Sequence, residues 1–308
     1  MKSRFLVKTL SKLFMLFLLL FMIIVLLNVP KSMRYASVLD EASFDKGVKV
    51  GNVIVMVDGG QLKEDVADYL KTLASGTLGK NRRKQDVSIQ IKKSTMRTLK
   101  LMLSAVIVSL VLGVIKGVMD SKRSKGNVKD LKLVSTVLFL SLPDIITILL
   151  LQSMVVVMAK AGFKIFPVIA DDRVIALILP VLVLSVIPLN YISRITAISI
   201  ENVNTKPYIT TAIGKGASKV RVLWVHIFRN AIIEIVSSFS SIAAMIFSSL
   251  LLVEYMFAYP GIAYTMFEYF RDTNVVIAAA IVFALLFYVI DLIFSILKYM
   301  LMPVKETA

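Results

Sequence analysis

The chain has 308 residues, 57% of them hydrophobic and 18% charged, with a formal net charge of +16 at pH 7. Soluble domains have about 45–50% apolar and about 25% charged residues. This composition therefore excludes a soluble globular enzyme, a disordered chain and a secreted disulfide scaffold. The sequence has no Cys and one His, so a disulfide is excluded and a histidine-based catalytic metal site is not expected. Basic loops beside a membrane explain the charge without nucleic acid.

Six apolar stretches are long enough to cross a bilayer, whose hydrocarbon core requires about 20 residues in a helix. They cover residues 13–29, 98–118, 133–158, 174–192, 231–257 and 275–301. The first follows a basic start, as in a signal peptide, but it exceeds the usual length of about 7–15 apolar residues and no cleavage pattern follows it. The sequence therefore predicts an all-α integral membrane protein with six transmembrane helices.

The distribution of Lys and Arg among the short loops predicts the orientation in the membrane. The most basic segments are residues 1–12, 119–132 and 193–230. The loops on the opposite side contain fewer basic residues. Because cytoplasmic loops are the basic ones, both termini of this multi-pass protein are predicted to lie in the cytoplasm.

Residues 30–97 are predicted to form a small external segment. One strand-like run covers Val50 to Val57, and apolar residues at helical spacing follow from Leu62 to Leu73. Gly76 is placed to cap that helix. Four basic residues come next: Lys80, Arg82, Arg83 and Lys84. Their simplest interpretation is a solvated turn, and the alternative is a docking surface for an external partner. So small a segment buries little core alone, so we expect it to pack on the membrane domain or on a partner.

The loop between the fourth and fifth spans predicts two short helices joined by a turn. Gly216 is suited to end the first helix in the left-handed conformation, and Ser218 is suited to cap the second. An apolar stripe follows at helical spacing: Val220, Leu223, Trp224, Ile227 and Phe228. Another face carries three polar residues and two interrupting valines: Lys219, His226, Arg229, Val222 and Val225. Such an element on the cytoplasmic surface can fill a groove on a soluble partner.

At these residues the sequence resembles the EAA loop of binding-protein-dependent ABC importer permeases. That pattern has two small residues, three spacers, a Gly, nine spacers and a short hydrophobic ending. Thr211 and Ala212 stand in the small positions and Gly216 in the Gly position. The forms T-A-x-x-K-G and H-x-x-R-N-A resemble the dipeptide, oligopeptide and nickel permease branch, of the first permease subunit type.

Further motifs that resemble this branch extend from residue 62 to the end of the chain. They are Gly76 with Gly79, Thr98-Leu99 with Gly113 and Gly117, Ser141 with Pro143, Leu179-Pro180 with Arg194, and Glu254 with Phe257, Pro260 and Gly261. The sequence departs from the branch at Ala197, Glu234 and Met302-Pro303-Val304, where the branch usually has Arg, Pro and Asp-Pro-Arg. Thr210 stands where the wider family has an acid, a replacement that is common in this branch.

The resemblance implies a type I ABC importer permease with a MetI-like fold. Residues 1–29 would form the N-terminus and first helix, 30–97 the external segment, and 98–308 the permease core with its coupling loop at 207–230. The chain would form half of a pore for dipeptides, oligopeptides or related solutes such as nickel chelates. A second homologous permease, two cytoplasmic ATPase subunits and an external substrate-binding protein would complete the transporter.

The resemblance also implies which residues couple to the ATPases. They are Thr211, Ala212, Gly216, Ser218, Lys219, His226 and Arg229. The sequence has no G-x-x-x-x-G-K-[ST] phosphate loop, so we expect ATP hydrolysis on the partner subunits, and no catalytic residue, cofactor or metal in this chain. His226 has no nucleophile or metal partner nearby in the sequence, and we interpret it as a polar residue of the coupling helix.

Asp144 and Glu254 are the possible pore-lining residues. A charge near the bilayer centre costs at least about 2.5–3.5 kcal/mol, so Asp144 is expected to face the protein interior, where it lines the pore or contacts another helix. The alternative is a satisfied acid beside a kink at Pro143. Glu254 is expected near the outer end of its span, in reach of water, where it lines an outer gate or pairs with a Lys.

Three other classes of membrane protein are less consistent with the sequence. A secondary transporter or channel that works without ATP usually has internal repeats or broken helices in matching positions, and no clear repeat is present. A membrane-anchored sensor or scaffold does not require the patterned loop. An intramembrane enzyme requires a paired nucleophile and base or a set of metal ligands, which no predicted helix carries.

Overall fold

The computed structural model describes residues 2–37, 48–50, 53–121, 141, 143–163, 174–204, 206–216, 218, 221–222 and 228–301. By their contacts, the residues form two compact units. The first unit comprises residues 1–96 and 261–286, and the second comprises residues 97–260 and 287–308. The predicted organisation into 1–29, 30–97 and 98–308 concerns membrane topology, which this division does not test.

Helices dominate the described residues. In chain order they are α1 (Lys2–Asn28), α2 (Gly59–Ala74), α3 (Val87–Asp120), α4 (Asp144–Lys160), α5 (Val174–Asn204), α6 (Pro207–Gly214), α7 (Phe228–Ser237), α8 (Phe239–Met256), α9 (Ile262–Glu268) and α10 (Thr273–Leu301). A short 3-10 helix, Val29–Lys31, follows α1. Three strands precede α2: β1 (Met33–Ser37), β2 (Val48–Val50) and β3 (Val53–Val57).

The first unit contains a small antiparallel sheet with the strand order β1-β3-β2. Met33 pairs with Val57, and Val50 pairs with Val53. The prediction of a single strand from Val50 to Val57 is therefore wrong, because Val50 ends β2 and a new strand begins at Val53. Residues 51 and 52 lie outside the described residues, but their Gly-Asn sequence between two apolar runs is a known hairpin signal.

Helix α2 is capped at both ends, of which the sequence predicts the second. Asp58 Oδ1 accepts the backbone N–H groups of Gly60 and Gln61, at 2.9 and 3.2 Å, and so caps its first turn. After the last turn Gly76 has φ +78°, and its N–H donates to the Leu73 carbonyl. The predicted glycine cap is confirmed. The buried Tyr69 side chain joins an apolar cluster with Ile24 of α1 and two isoleucines of α10, so α2 packs on apolar helices as expected.

In the second unit α3 and α5 approach closely through small residues. A Cβ atom on Gly117 would lie 2.6 Å from the Ser193 carbonyl oxygen, and one on Gly113 would lie 2.9 Å from the Leu189 carbonyl oxygen. Earlier along the same two helices, the Ser185 hydroxyl donates to the Ala105 carbonyl at 3.2 Å. Stripes of small residues at i, i+4 let two helix backbones pack this closely inside a membrane.

Five described helices are long and apolar enough to cross a membrane, which makes the chain a multi-pass membrane protein. They are α1, α3, α5, α8 and α10. For the predicted span 133–158, the structure describes α4, which has 17 residues. The prediction that this span is one continuous helix is wrong, because Pro143 has an extended backbone with ψ 140° and α4 begins after it.

Candidate functional site

Helix α6 and the turn after it form the first half of the predicted helix–turn–helix. Pro207 occupies the first position of α6, where its missing N–H costs nothing. The exposed Thr211 hydroxyl donates to the Pro207 carbonyl at 3.1 Å. Gly216 has φ +82°, the left-handed conformation that glycine adopts without steric penalty. The predicted glycine end of this helix is confirmed.

The start of the second helical element also agrees with the prediction. Ser218 Oγ accepts the Arg221 N–H at 3.3 Å, and the Ser218 carbonyl accepts the Val222 N–H at 3.0 Å. This is the hydrogen-bond pattern of a serine N-cap.

Of the four other residues predicted to couple to the ATPases, two lie outside the described residues and two lie in described helices. Lys219 and His226 lie outside the described residues, as do Leu223 and Trp224 of the apolar stripe. Ala212 lies in α6 and Arg229 lies in α7. The apolar stripe, and the coupling role of every residue in this segment, stay predictions.

Two apolar residues fix the predicted coupling segment, residues 207–222, to the membrane-spanning helices. Ile209 and Val222 are 2% and 3% exposed, and both are buried in a cluster with Ile200 and Val203 of α5. Val118, near the end of α3, packs partly buried against the same cluster. The helical period predicted that Val222 interrupts the polar face of the second helix. The structure shows that it is instead an anchor, which the helical period alone did not reveal.

Asp144 lies in the first turn of α4, half-buried, where the partial positive charge of a helix N-terminus stabilises a carboxylate. Its Oδ2 accepts the hydroxyl of Ser249 on α8 at 2.7 Å. Further along the same two helices, Gln152 Nε2 donates to the Met256 carbonyl at 3.0 Å. Asp144 therefore contacts a neighbouring helix, which was one of the two expected roles. Its pore-lining role stays a prediction.

Glu254 occupies a different environment from the one expected. Its side chain is fully buried, with 0% exposure, and its Oε1 accepts the hydroxyl of Thr98 on α3 at 2.6 Å. Leu250, Val253 and Phe257 beside it are also fully buried. The expectation of a water-exposed acid is wrong, because protein covers this face of α8. Any pore-lining role stays a prediction.

The partners of these acids are polar residues in apolar spans. In the sequence, Thr98 is recognisable only as part of a motif, and Ser249 was not predicted to have a role. A hydroxyl in an apolar helix is a signal for such a partner, because a buried carboxylate requires a hydrogen-bond donor. A third acid, Glu234, stands where the related branch usually has Pro. Its carboxylate accepts the hydroxyl of Ser199 and links α7 to α5.

These features define a multi-pass membrane protein with a capped, packed loop between α5 and α7. Residues 98–303 match the family described as "Binding-protein-dependent transport system inner membrane component". The match covers more than half of the chain, and the chain belongs to this family.

Relatives with assigned transport roles cover most of the chain. The dipeptide transport system permease protein DppB of Bacillus subtilis (strain 168) is 26% identical over 238 residues, which are 74% of this chain and 76% of that protein. The oligopeptide transport system permease protein AppB of the same organism is 28% identical over 250 residues, or 76% of this chain and 78% of that protein. The recognised resemblance to the dipeptide and oligopeptide permease branch is confirmed.

A solved structure supports the fold. A chain of the methionine ABC transporter MetNI in inward-facing conformations matches with a TM-score of 0.54 and 15% sequence identity. The match covers 70% of this chain and 97% of that chain. It shows that this chain has the fold of an ABC transporter permease.

Proposed function

We propose that this chain forms half of the translocation pore of an ATP-driven importer for dipeptides or oligopeptides. The family and the fold support the transport role, and the relatives named above support peptides as the solute. The observation that carries the proposal is the coupling segment, residues 207–222. Its glycine turn is exposed at Lys215 and Gly216, and on either side of that turn Ile209 and Val222 are buried against α5.

This arrangement suits a mechanical link. The exposed residues Thr211, Lys215 and Gly216 are available to a cytoplasmic ATPase subunit, with Ser218 and the basic residues after it completing the contact. Because Ile209 and Val222 are packed on α5, a displacement of the segment is transmitted to that helix. Closure of two ATPase subunits on ATP would then rock the helices of this chain and of a second homologous permease between inward-open and outward-open states.

The proposed topology has six spans, with α4 and the residues before it as the third. Both termini and the coupling segment lie in the cytoplasm of a bacterial plasma membrane, and residues 30–97 lie outside, where a substrate-binding protein delivers the peptide. The positive-inside rule supports this orientation. Asp144 and Glu254 are proposed to reach the pore, Glu254 only in a state in which α3 and α8 separate.

ATP hydrolysis belongs to the partner subunits in this proposal. The chain supplies no phosphate loop, and its role is to convert the closure of its partners into a change of access. It acts as a transport subunit and takes up neither a cofactor nor a metal for chemistry.

The absence of cysteine from the sequence allows a direct test. In Thr211→Cys the only thiol lies on exposed α6, and in the control Thr77→Cys it lies on the exposed turn after α2. Co-expressed with an ATPase subunit that carries one surface cysteine, Thr211→Cys is expected to cross-link to it through a short bis-maleimide, whereas Thr77→Cys reacts with an impermeant maleimide on intact cells. Cross-linking from position 77, or external labelling at position 211, would overturn the proposal.

A further inference from the structure

The turn at residues 80–84, which we call the basic turn, has a fixed shape. The Asn81 N–H donates to the Gln85 carbonyl at 2.9 Å, and the Lys84 N–H donates to the Asn81 carbonyl at 2.8 Å. The Asn81 side chain is buried and accepts the Gln85 N–H at 2.9 Å. Lys84 has φ +61°, an uncommon conformation for a non-glycine residue that the surrounding hydrogen bonds hold.

Distant parts of the first unit hold this turn in place. The carboxylate of Asp272, which is 9% exposed, accepts the Arg82 N–H at 2.7 Å. The side chain of Asn274 donates to the Lys80 carbonyl at 3.1 Å and accepts from Lys31 Nζ at 3.4 Å. Three segments that are far apart in sequence therefore meet here.

Their meeting gathers cationic side chains that are exposed to solvent. We define the basic patch as Lys31, Lys80, Arg82, Arg83, Lys84 and Arg271. Two acids next to it are engaged by backbone N–H groups: Asp272 by Arg82, and Asp86 by Ser88 at 2.8 Å. Within the part of the chain that the structure describes, no salt bridge involves the side chains of Arg82, Arg83 or Lys84.

The patch also exposes an aromatic ring. Phe270 is 68% exposed, and the Arg271 guanidinium lies 5.4 Å from the centroid of its ring. Aromatic residues and Arg are enriched among the residues that contribute most to protein–protein binding. An exposed aromatic ring beside fixed cations therefore suits a surface that binds a protein partner.

We propose that the basic patch docks an acidic surface of the substrate-binding protein, with Phe270 as its apolar anchor. This inference rests on the proposed function, which places the patch outside the cell. Cations on that side do not set topology, because the orientation rule acts through the cytoplasmic loops. The cations of the patch are held together by hydrogen bonds and repel one another, and an anionic partner relieves that repulsion. The positive field of the patch also attracts such a partner as it approaches.

The test uses the complete transporter in nanodiscs and the binding protein that stimulates ATP hydrolysis by the wild-type complex. In the variant Arg82→Glu/Arg83→Glu, we expect the dissociation constant of the binding protein to rise at least tenfold at 0.15 M salt. We also expect its salt dependence to flatten, since fewer charge contacts are made. Phe270→Ala is expected to weaken binding with an unchanged salt dependence.

The control variant Lys63→Glu/Lys71→Glu reverses two exposed cations of α2 that do not belong to the patch. It is expected to bind within twofold of wild type. Equal affinities for the patch variant and the control would overturn the inference. A loss that appears in nanodiscs with anionic phosphatidylglycerol and vanishes in neutral phosphatidylcholine would assign the patch to lipid, and would overturn it too.

Failure of this inference differs from failure of the proposed function. If Thr211→Cys cross-links to the ATPase and the patch variants bind normally, only the docking surface is wrong. If Thr211→Cys does not cross-link and no binding protein stimulates the wild-type complex, the importer role itself is wrong, and the docking inference with it.

Discussion

Helices α1 and α5 are both apolar enough to cross a membrane, yet they differ in burial. In the most apolar stretch of α1, 11% is buried in the protein, whereas in the most apolar stretch of α5 the buried share is 61%. The sequence of α1 from Leu13 to Leu27 is uniformly apolar, but α5 places Ser185, Asn190 and Ser193 in the protein interior. Hydropathy therefore identifies a span, and small and polar residues within a span identify the helix that others pack on.

The largest effect is expected where α3 meets α5. In Gly117→Leu the new Cβ would lie 2.6 Å from a backbone oxygen of α5 that has no side-chain freedom. Overpacking of this kind costs about 1–3 kcal/mol or more, so we expect a lower thermal midpoint and a severalfold lower yield of monodisperse protein. Leu18→Phe enlarges an α1 side chain that is 54% exposed and serves as the control. Equal thermal midpoints for the two variants would contradict the conclusion that other helices pack more extensively on α5 than on α1.

A smaller loss is expected at the buried acid. Thr98→Val removes the hydroxyl that donates to the Glu254 carboxylate, and hydrogen bonds to charged groups contribute about 1.5–3 kcal/mol. Thr95→Val provides the control on the same helix, because the Thr95 hydroxyl donates only locally, to the Ile91 carbonyl at 2.7 Å. Thermal unfolding in detergent should rank Thr98→Val well below Thr95→Val. A reversed or equal order would show that the contact between α3 and α8 contributes nothing.

Local signals in the sequence were sufficient for the parts of the molecule that depend on neighbours in the chain. The glycine caps at Gly76 and Gly216 and the serine cap at Ser218 follow from backbone chemistry within one helical turn. The apolar spans follow from length and composition. The same reasoning did not find β1, because a five-residue strand with polar positions has little periodicity.

Long-range contacts were the part that the sequence did not reveal. The burial of Glu254 depends on Thr98, 156 residues earlier, and the burial of Val222 depends on α5. Helical period places such residues on a face but does not say what covers that face. At Pro143 the sequence suggested a kink, and the structure shows an extended residue before a new helix. The choice between the two depends on neighbours that a single sequence does not identify.

The central claim is that the turn at Gly216 transmits motion from the ATPases to the membrane helices. Its most direct test compares Gly216→Val with Gly214→Val in proteoliposomes, as labelled dipeptide taken up per ATP hydrolysed. Both glycines have open space around the Cβ position, but only Gly216 has a positive φ, where a non-glycine residue costs about 1–2 kcal/mol. We predict at least a fivefold loss of coupling for Gly216→Val and a change below twofold for Gly214→Val. Wild-type coupling in Gly216→Val, or the same loss in both variants, would contradict the account.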